Sequence, residues 1–197
     1  MEDKKSQIIE AAKGLFNRLG YAKTSVDDIA SSLGMKKSSL YYYFKNKEDI
    51  FMCSFKSDWE SNFKIFEGIA NKESNPLDKI LSYNTQSLDY HKGIVIQHKI
   101  PVKVLIETRN LYREFINHTN HGGVVYFEKC LKEGIQKGII KDCDTLKVAN
   151  AITLVKFSIQ YDQFNVFINA YPSEEDLLKI KKDILFVLNL LLDGMRK

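Results

Sequence analysis

Apolar residues recur along most of the chain at the spacing of an α-helix, and no useful length alternates with the period of a strand. The first predicted helix has apolar residues at i, i+4, i+7 and i+11, which are Ile8, Ala12, Leu15 and Leu19. Gly residues end several segments, while Pro76 and Ser173 begin others. The pattern predicts an all-α protein with helices over 4–19, 25–33, 36–44, 47–71, 76–92, 100–108, 110–119, 122–137, 144–169 and 174–195.

The second and third predicted helices are short and joined by a tight turn. Thr24 or Ser25 can cap the second helix, and Gly34 permits the chain to reverse after it. This is the spacing of a helix-turn-helix, in which the second helix enters the major groove of DNA. Its first residues are small or hydrogen-bonding, so that the backbone can approach the bases: Lys36, Lys37, Ser38 and Ser39.

Three consecutive tyrosines follow on the same predicted helix. At most one ring of Tyr41, Tyr42 and Tyr43 can point into the core, because Leu40 and Phe44 already occupy that direction. The other rings can pack on sugars or thymine methyl groups and donate hydrogen bonds to phosphates. A three-helix bundle with an exposed tyrosine run is the structural alternative.

The positive charge of the chain is concentrated in this region. The whole chain carries a formal net charge of only +4, and residues 18–47 alone contain six basic and two acidic residues. A local basic patch on a neutral body is typical of a phosphate-binding surface, although a chance cluster of solvated lysines is the alternative. Lys47, at the start of the fourth predicted helix, combines a cation with a helix N-terminus and is predicted to bind phosphate.

One continuous stretch of this region resembles a protein family. The stretch from Leu15 to Ile50 contains TSVDDIA, LGMKKSSLYYYF and KNKEDI, and it resembles the TetR family of bacterial transcriptional regulators without a gap. The resemblance implies a homodimeric repressor that binds a palindromic double-stranded DNA operator and is released by a small-molecule effector. It also implies a helix-turn-helix DNA-binding domain over 1–47 and a helical ligand-binding and dimerisation domain over 48–197.

The resemblance further implies which residues contact DNA. Base and phosphate contacts fall on Lys36, Lys37, Ser38, Ser39, Tyr41, Tyr42, Tyr43 and Lys47, with Thr24 and Ser25 at the DNA backbone. Some relatives have a basic residue where this chain has Asp27, and we exclude that position because a carboxylate repels phosphate. Ser38 stands where the family often has Gly, which should alter base preference.

Aromatic residues are concentrated between the predicted motif and the last two helices. Trp59, Phe63 and Phe66 share one face of the fourth predicted helix at i, i+4 and i+7. Such a set can be ordinary core packing, or it can line an apolar pocket whose polar tips are tyrosine hydroxyls. We expect a pocket for an apolar or aromatic ligand, lined by Trp59, Phe63, Phe66, Tyr83, Phe115, Tyr126, Phe127, Phe157 and Tyr161.

The last two predicted helices are apolar around more than one face. A helix that serves a single core needs an apolar stripe of about 100°. The wider faces can be buried within one monomer, or two subunits can share them in a four-helix bundle. We favour the homodimer, with an interface at Ile152, Val155, Ile159, Ile184, Leu188 and Leu191.

Few residues support another function. The pair His118 and His121 has no convergent ligands, so we expect no metal and interpret all four histidines as exposed loop residues. No nucleophile elbow, phosphate loop or HExxH pair occurs, so we expect no catalytic site and no cofactor. An all-helical enzyme and a regulator that has lost its ligand and acts through a protein partner are the alternatives.

The sequence also predicts where the protein resides. Its first residues lack the apolar run of a signal peptide, and no uncharged apolar stretch approaches the roughly 18 residues of a membrane span. Cys53, Cys130 and Cys143 are scattered, as is typical of a reducing compartment. We therefore expect a cytoplasmic protein without a membrane segment.

Overall fold

The computed structural model describes residues 2–107, 123–166 and 171–197, and these are helical apart from turns, short loops and one isolated β-bridge between Ile140 and Arg196. The all-α prediction is confirmed. The described helices are α1 (Glu2–Leu19), α2 (Val26–Ser32), α3 (Lys37–Leu40), α4 (Lys47–Ala70), α5 (Pro76–His98), α6 (Val102–Glu107), α7 (Val124–Gln136), α8 (Thr145–Val166) and α9 (Glu174–Asp193).

Helix starts coincide with side chains that satisfy the first backbone N–H groups. Ser173 caps α9 by accepting from the Asp176 amide at 3.1 Å, while the Asp176 carboxylate accepts from the Ser173 amide at 2.9 Å. Asn46 caps α4 by accepting from the Asp49 amide at 2.8 Å. Pro76 occupies the first turn of α5, where the missing N–H has no cost.

Two of the predicted boundaries are wrong. Gly93 does not end a helix, because α5 continues through it to His98 and is closed by Lys99 in the left-handed conformation, with φ of 47°. A glycine inside a helix costs about 1 kcal/mol, less than the burial of Leu88 and Val95 on either side contributes. The third helix is shorter than predicted and continues as a turn after Leu40. The helix predicted over 110–119 lies outside the described residues.

The helices pack around one continuous core. Helices α1, α2 and α3 pack together, and α4 lies against both α1 and α5. Helix α5 also contacts α7 and α9, while α8 packs between α7 and α9. The buried apolar side chains of these helices form one cluster, which includes residues from Ile8 in α1 to Leu192 in α9. Among the described helices, none is long and apolar enough to cross a membrane.

Candidate nucleic-acid interface

Helix α2 begins on a reciprocal cap that fixes its direction. Ser25 Oγ accepts from the Asp28 amide at 3.1 Å, and the Asp28 carboxylate accepts from the Ser25 amide at 2.8 Å. The hydrogen bond to Ser25 lowers the pKa of the Asp28 carboxyl, so this cap is intact at neutral pH. Of the two predicted caps, the structure uses Ser25, which is exposed beside the start of α2.

The turn after α2 reverses the chain, as a helix-turn-helix requires. Gly34 has φ of 62°, a left-handed conformation that side chains rarely adopt. The Met35 amide then donates to the Ala30 carbonyl at 2.9 Å, which closes the turn. Helix α3 begins at Lys37, and its buried Leu40 fixes which face points outward.

The outward face of α3 carries most of the predicted DNA contacts. Lys36, Lys37 and Ser38 are exposed, and Ser39 is half-buried. The three tyrosines differ, since Tyr42 is 71% exposed and Tyr41 48% exposed, while Tyr43 is half-buried against the core. Tyr42 and Tyr43 contact each other edge to face with ring centroids 5.1 Å apart. One ring therefore supports the other from the protein side.

An ion pair connects α2 to α3 on this exposed face. Lys37 Nζ lies 2.7 Å from the Asp27 carboxylate, and both side chains are largely in solvent. The carboxylate raises the pKa of Lys37, which keeps its ammonium charged. Asp27 thus serves as an internal partner of a cation at the interface.

The DNA contact predicted for Thr24 does not fit the structure. Thr24 is 1% exposed, and its hydroxyl donates to the Gly20 carbonyl at 2.9 Å. A buried hydroxyl that already has its acceptor cannot reach a phosphate without disrupting the loop. The alternation of Thr24 and Ser25 at the start of α2 sends one side chain inward and the other outward.

Lys47, predicted to contact phosphate, is half-buried and is held by the protein through part of its ammonium. Its ammonium donates to the carbonyls of Tyr21 and Thr24 at 2.8 and 2.9 Å, and lies 4.0 Å from the centre of the Tyr21 ring. Burial lowers the pKa of Lys47. These two hydrogen bonds fasten the first turn of α4 to the loop between α1 and α2. Since an ammonium has three donors, the phosphate contact of Lys47 stays a prediction.

The loop between α1 and α2 also contacts the end of α5, through residues that sequence reasoning missed. The Tyr21 amide donates to the His98 carbonyl at 2.9 Å, and His98 Nδ1 donates to the Phe16 carbonyl at 3.2 Å. The His98 ring is buried, 4.9 Å from the Phe55 ring of α4. Gly20 is required here, since a Cβ would lie 3.1 Å from the His98 carbonyl oxygen. The interpretation of His98 as an exposed loop residue is therefore wrong.

These contacts of His98 with Phe16 and Tyr21 are called the His98 joint below. A cavity of about 100 Å³ lies next to it. Its walls come from α4, α5, α6 and α8, and are mainly aliphatic and aromatic. Of the predicted pocket residues, it contains Trp59, Phe157 and Tyr161. Sequence reasoning missed the remaining lining residues, which are Phe51, Met52, His91, Ile94, Val95, Ile100, Leu105, Gln160 and Phe164. They show no helical signal different from that of core residues.

The other described members of the predicted pocket form a separate aromatic core. The Tyr83 ring lies 5.8, 5.3 and 5.2 Å from the rings of Phe66, Tyr126 and Phe127. Phe63 joins this group through Phe66, at 6.2 Å. Helix α4 is 24 residues long, so the same face meets the cavity at Trp59 and packs against α5 further on. Phe115 lies outside the described residues.

The exposed apolar face of the last two helices differs from the predicted one. Ile152, Ile184 and Leu188 are fully buried within the chain, so they cannot lie at a subunit surface. Val155, Ile159 and Leu191 are half-buried. The large apolar residues that remain exposed on the same helices include Leu154, Phe186 and Leu190, at 65%, 64% and 59%. Three of the six predicted residues therefore lie on the inward faces of these helices, while the three half-buried ones stay predicted interface residues.

Among the described residues, no group of three or more His, Cys, Asp and Glu side chains could hold a metal ion. His118 and His121 lie outside the described residues. His91, the fourth histidine, lies within α5 and not in a loop.

Comparisons with known proteins agree on one family. Residues 8–52 match the model of bacterial regulatory proteins of the tetR family. The chain is 30% identical over 139 residues to the fatty acid metabolism regulator protein of Bacillus subtilis, covering 69% of this chain and 70% of that protein.

Solved structures of transcriptional regulators have the same fold. A transcriptional regulator from Cytophaga hutchinsonii superposes with a TM-score of 0.71 at 22% identity, covering 98% of this chain and 99% of that one. The regulator FadR from Bacillus subtilis, solved in complex with stearoyl-CoA, superposes with a TM-score of 0.56 at 25% identity, covering 93% and 96%.

Proposed function

The chain belongs to the TetR family of bacterial regulatory proteins, and we propose that it is a homodimeric repressor of a palindromic operator, released by a small apolar or aromatic ligand. It is a helix-turn-helix transcriptional regulator and not an enzyme. The observation that carries the proposal is the exposed set of lysine and tyrosine side chains on α3 and in the turns beside it, on a motif whose other side packs against the core.

We assign the DNA contacts to the exposed side of this motif. Lysine and serine donors reach guanine acceptors or phosphates, and tyrosine rings contact sugars and methyl groups. Ser25 contacts the DNA backbone at the start of α2. The contacts on and after α3 are Lys36, Lys37, Ser38, Ser39, Tyr41, Tyr42 and Tyr43. Lys47 contacts phosphate through its remaining ammonium donor, whereas Thr24 is buried and stabilises the loop before α2.

We propose that two subunits associate through the exposed faces of α8 and α9. Leu154, Phe186 and Leu190 are large, apolar and more than half exposed in the single chain. Pairing α8 and α9 with their counterparts would remove these side chains from water in a four-helix bundle. A two-fold axis would then place the two α3 helices on successive half-sites, about 34–36 Å apart or a multiple of that distance.

We further propose that residues 1–47 bind DNA, that 48–197 bind the ligand and the second subunit, and that α4 connects them. Helix α4 contributes Phe51, Met52 and Trp59 to the cavity wall, and its first residue, Lys47, is fastened to the loop before α2. A ligand larger than the cavity would push α4 outward. That movement would carry the motif with it and change the distance between the two α3 helices.

The ligand is proposed to be largely apolar. Among the described residues, the cavity wall is mainly aliphatic and aromatic, with polar side-chain atoms from His91, Gln160, Tyr161 and Trp59. The solved regulator FadR from Bacillus subtilis binds stearoyl-CoA, a molecule with a long apolar chain, which supports the same ligand chemistry here.

A mobility-shift experiment tests the repressor function. The purified protein should retard fragments of the promoters beside its own gene, and the affinity should fall steeply as salt rises, since phosphate contacts release counterions. The most strongly retarded fragment should contain an inverted repeat in a footprint. Absence of retardation of every neighbouring promoter fragment at low salt would contradict the proposal.

The cavity volume favours a second candidate, a regulator without a ligand that acts through a protein partner. A cavity of about 100 Å³ is smaller than the roughly 150 Å³ that accommodates benzene in a protein core. This candidate predicts that no apolar compound changes the fluorescence of Trp59 or releases the promoter fragment. The repressor proposal predicts that at least one compound does both.

A further inference from the structure

A buried lysine lies one helical turn from Gln160, a polar residue of the cavity wall. Lys156 of α8 is 8% exposed, and its ammonium donates to Ser87 Oγ of α5 at 2.9 Å. In the described parts of the chain, no carboxylate lies within ion-pair distance of it. An ammonium has three donors, and burying one without an anion costs several kcal/mol, so this residue lowers the stability of the ligand-free fold.

Lys156 and its partner Ser87 each lie one helical turn from a residue of the cavity wall. Gln160 follows Lys156 by one turn of α8, and His91 follows Ser87 by one turn of α5. Both Gln160 and His91 line the cavity. Because one helical turn rises about 5.4 Å, the ammonium lies within reach of a group that enters between these two side chains.

The positive field of Lys156 already reaches the cavity wall. Burial and the nearby ammonium together lower the pKa of His91 to about 4, so the imidazole is neutral at pH 7. His91 Nδ1 donates to the Ser87 carbonyl at 2.7 Å, which fixes the ring. His91 therefore adds no charge of its own beside the Lys156 ammonium at pH 7.

We infer that the ligand of this cavity is a hydrophobic carboxylic acid, whose carboxylate pairs with Lys156 between His91 and Gln160 while its apolar part lies among Trp59, Phe157 and Phe164. This inference rests on the proposed ligand-responsive function and names the ligand's chemistry. The carboxylate supplies the anion that the buried ammonium lacks, and the apolar part fills the aromatic end. Since the cavity holds only about 100 Å³, the apolar part must separate α4 from α8 as it enters.

Trp59 makes this inference directly measurable, because it is the single tryptophan of the chain and lies in the cavity wall. Its fluorescence should be titrated in the full-length protein with octanoate, methyl octanoate and octanoyl-CoA. The inference expects octanoate to bind at least about tenfold more tightly than the neutral ester, the advantage of a buried charged hydrogen bond. Equal affinity for acid and ester, or tightest binding of the thioester, would overturn it.

Variants of Lys156 separate its charge from its volume. Lys156→Met should abolish the preference for the acid while leaving ester binding in place, and Lys156→Arg should restore part of the preference. Lys147→Met, an exposed lysine on the same helix, is the matched control and should behave as the wild type. An acid preference that survives in Lys156→Met would overturn the inference. If Lys156→Met fails to fold, the affinities of the wild-type protein for octanoate and for methyl octanoate still test the inference.

DNA binding distinguishes this inference from the proposed function. If the protein retards its promoter and only neutral compounds bind near Trp59, the carboxylate inference is wrong and the repressor function stands. If no promoter fragment is retarded, the repressor function fails, whichever compounds bind. If octanoate binds through Lys156 and releases the promoter fragment, both are supported.

Discussion

Tyr42 and Lys47 are close in the chain, yet their side chains are in opposite environments. Tyr42 is 71% exposed, and its ring contacts Tyr43 edge to face. The Lys47 ammonium has two carbonyl acceptors and an aromatic ring around it. A side chain whose polar atoms already have partners stabilises the motif, whereas an exposed hydroxyl on a supported ring is available to DNA.

Removal of the Tyr42 ring tests that distinction. We expect Tyr42→Ala to weaken operator binding by roughly 1–3 kcal/mol, the range for a direct contact, with little change in the free energy of unfolding because the side chain is exposed. A mobility-shift titration and a urea denaturation measure the two quantities. Tyr171→Ala, exposed outside the motif, is the control, and unchanged affinity of Tyr42→Ala would remove Tyr42 from the interface.

The buried charge of Lys156 predicts a dependence of stability on pH. Burial lowers its pKa to about 8, below the value of about 10.4 in an unfolded chain. Between these values the unfolded chain binds more protons, so the free energy of unfolding rises with pH across this window. We expect Lys156→Met to be more stable than the wild type below pH 8, by up to about 3 kcal/mol from this charge.

Urea denaturation of both proteins at several pH values measures this difference. Subtracting the variant from the wild type removes the titration of the other lysines and tyrosines, and His91 stays neutral throughout because its pKa is about 4. The difference should shrink as the pH rises from 8 towards 10. A difference that does not change with pH would show that the ammonium is not desolvated in the folded protein.

At the scale of helices, α4 is the element that connects the proposed ligand cavity to the DNA-binding motif. Its first turn is fastened to the loop before α2, its middle lines the cavity and its end packs in the aromatic core. The His98 joint also connects α5 to the same loop. A displacement of α4 relative to α5 therefore has to move or distort the DNA-binding motif.

A side chain that fills the cavity should imitate the ligand. We expect Met52→Trp to push α4 from α8, to cost about 1–3 kcal/mol of stability through overpacking, and to weaken operator binding without any ligand. Ile65→Trp, on the exposed side of α4, is the matched control. Mobility shifts at a temperature where circular dichroism shows both variants folded make the comparison. Wild-type DNA affinity in a folded Met52→Trp would separate the cavity from DNA binding.

Helix periodicity predicted where the helices lie better than it predicted which residues pack against one another. Caps such as Ser25, Asn46 and Ser173 mark helix starts locally, which is why those boundaries could be predicted. The extension of α5 past Gly93 could not, because tertiary packing on Leu88 and Val95 decides it. Likewise, some of the predicted pocket residues line the cavity and others pack in the aromatic core. Aromatic residues on one helix face do not indicate whether a cavity or another side chain lies opposite them.

At the scale of the whole molecule, the sequence predicted the motif and the existence of two apolar helices, but not which of their faces is exposed. Ile184 and Phe186 are neighbours on an apolar helix, and only packing against α5 and α8 shows that the first is inside. The same holds for Lys47 and Lys36, two lysines of one basic segment. Residue type and local spacing do not show which side chains or carbonyl groups from distant parts of the chain will contact a given residue.

The exposed face of α8 and α9 gives the last prediction, that one charge at its centre separates the subunits. We expect Phe186→Glu to reduce the mass in sedimentation equilibrium to that of one chain, because two carboxylates would be buried near the two-fold axis. Its helix content should be unchanged, since Phe186 is 64% exposed in the single chain. Operator affinity should fall by orders of magnitude, because a monomer engages a single half-site. Ile65→Glu, at a residue that is 54% exposed on α4, should leave mass and affinity unchanged. A Phe186→Glu protein with the wild-type dimer mass would place the subunit interface elsewhere.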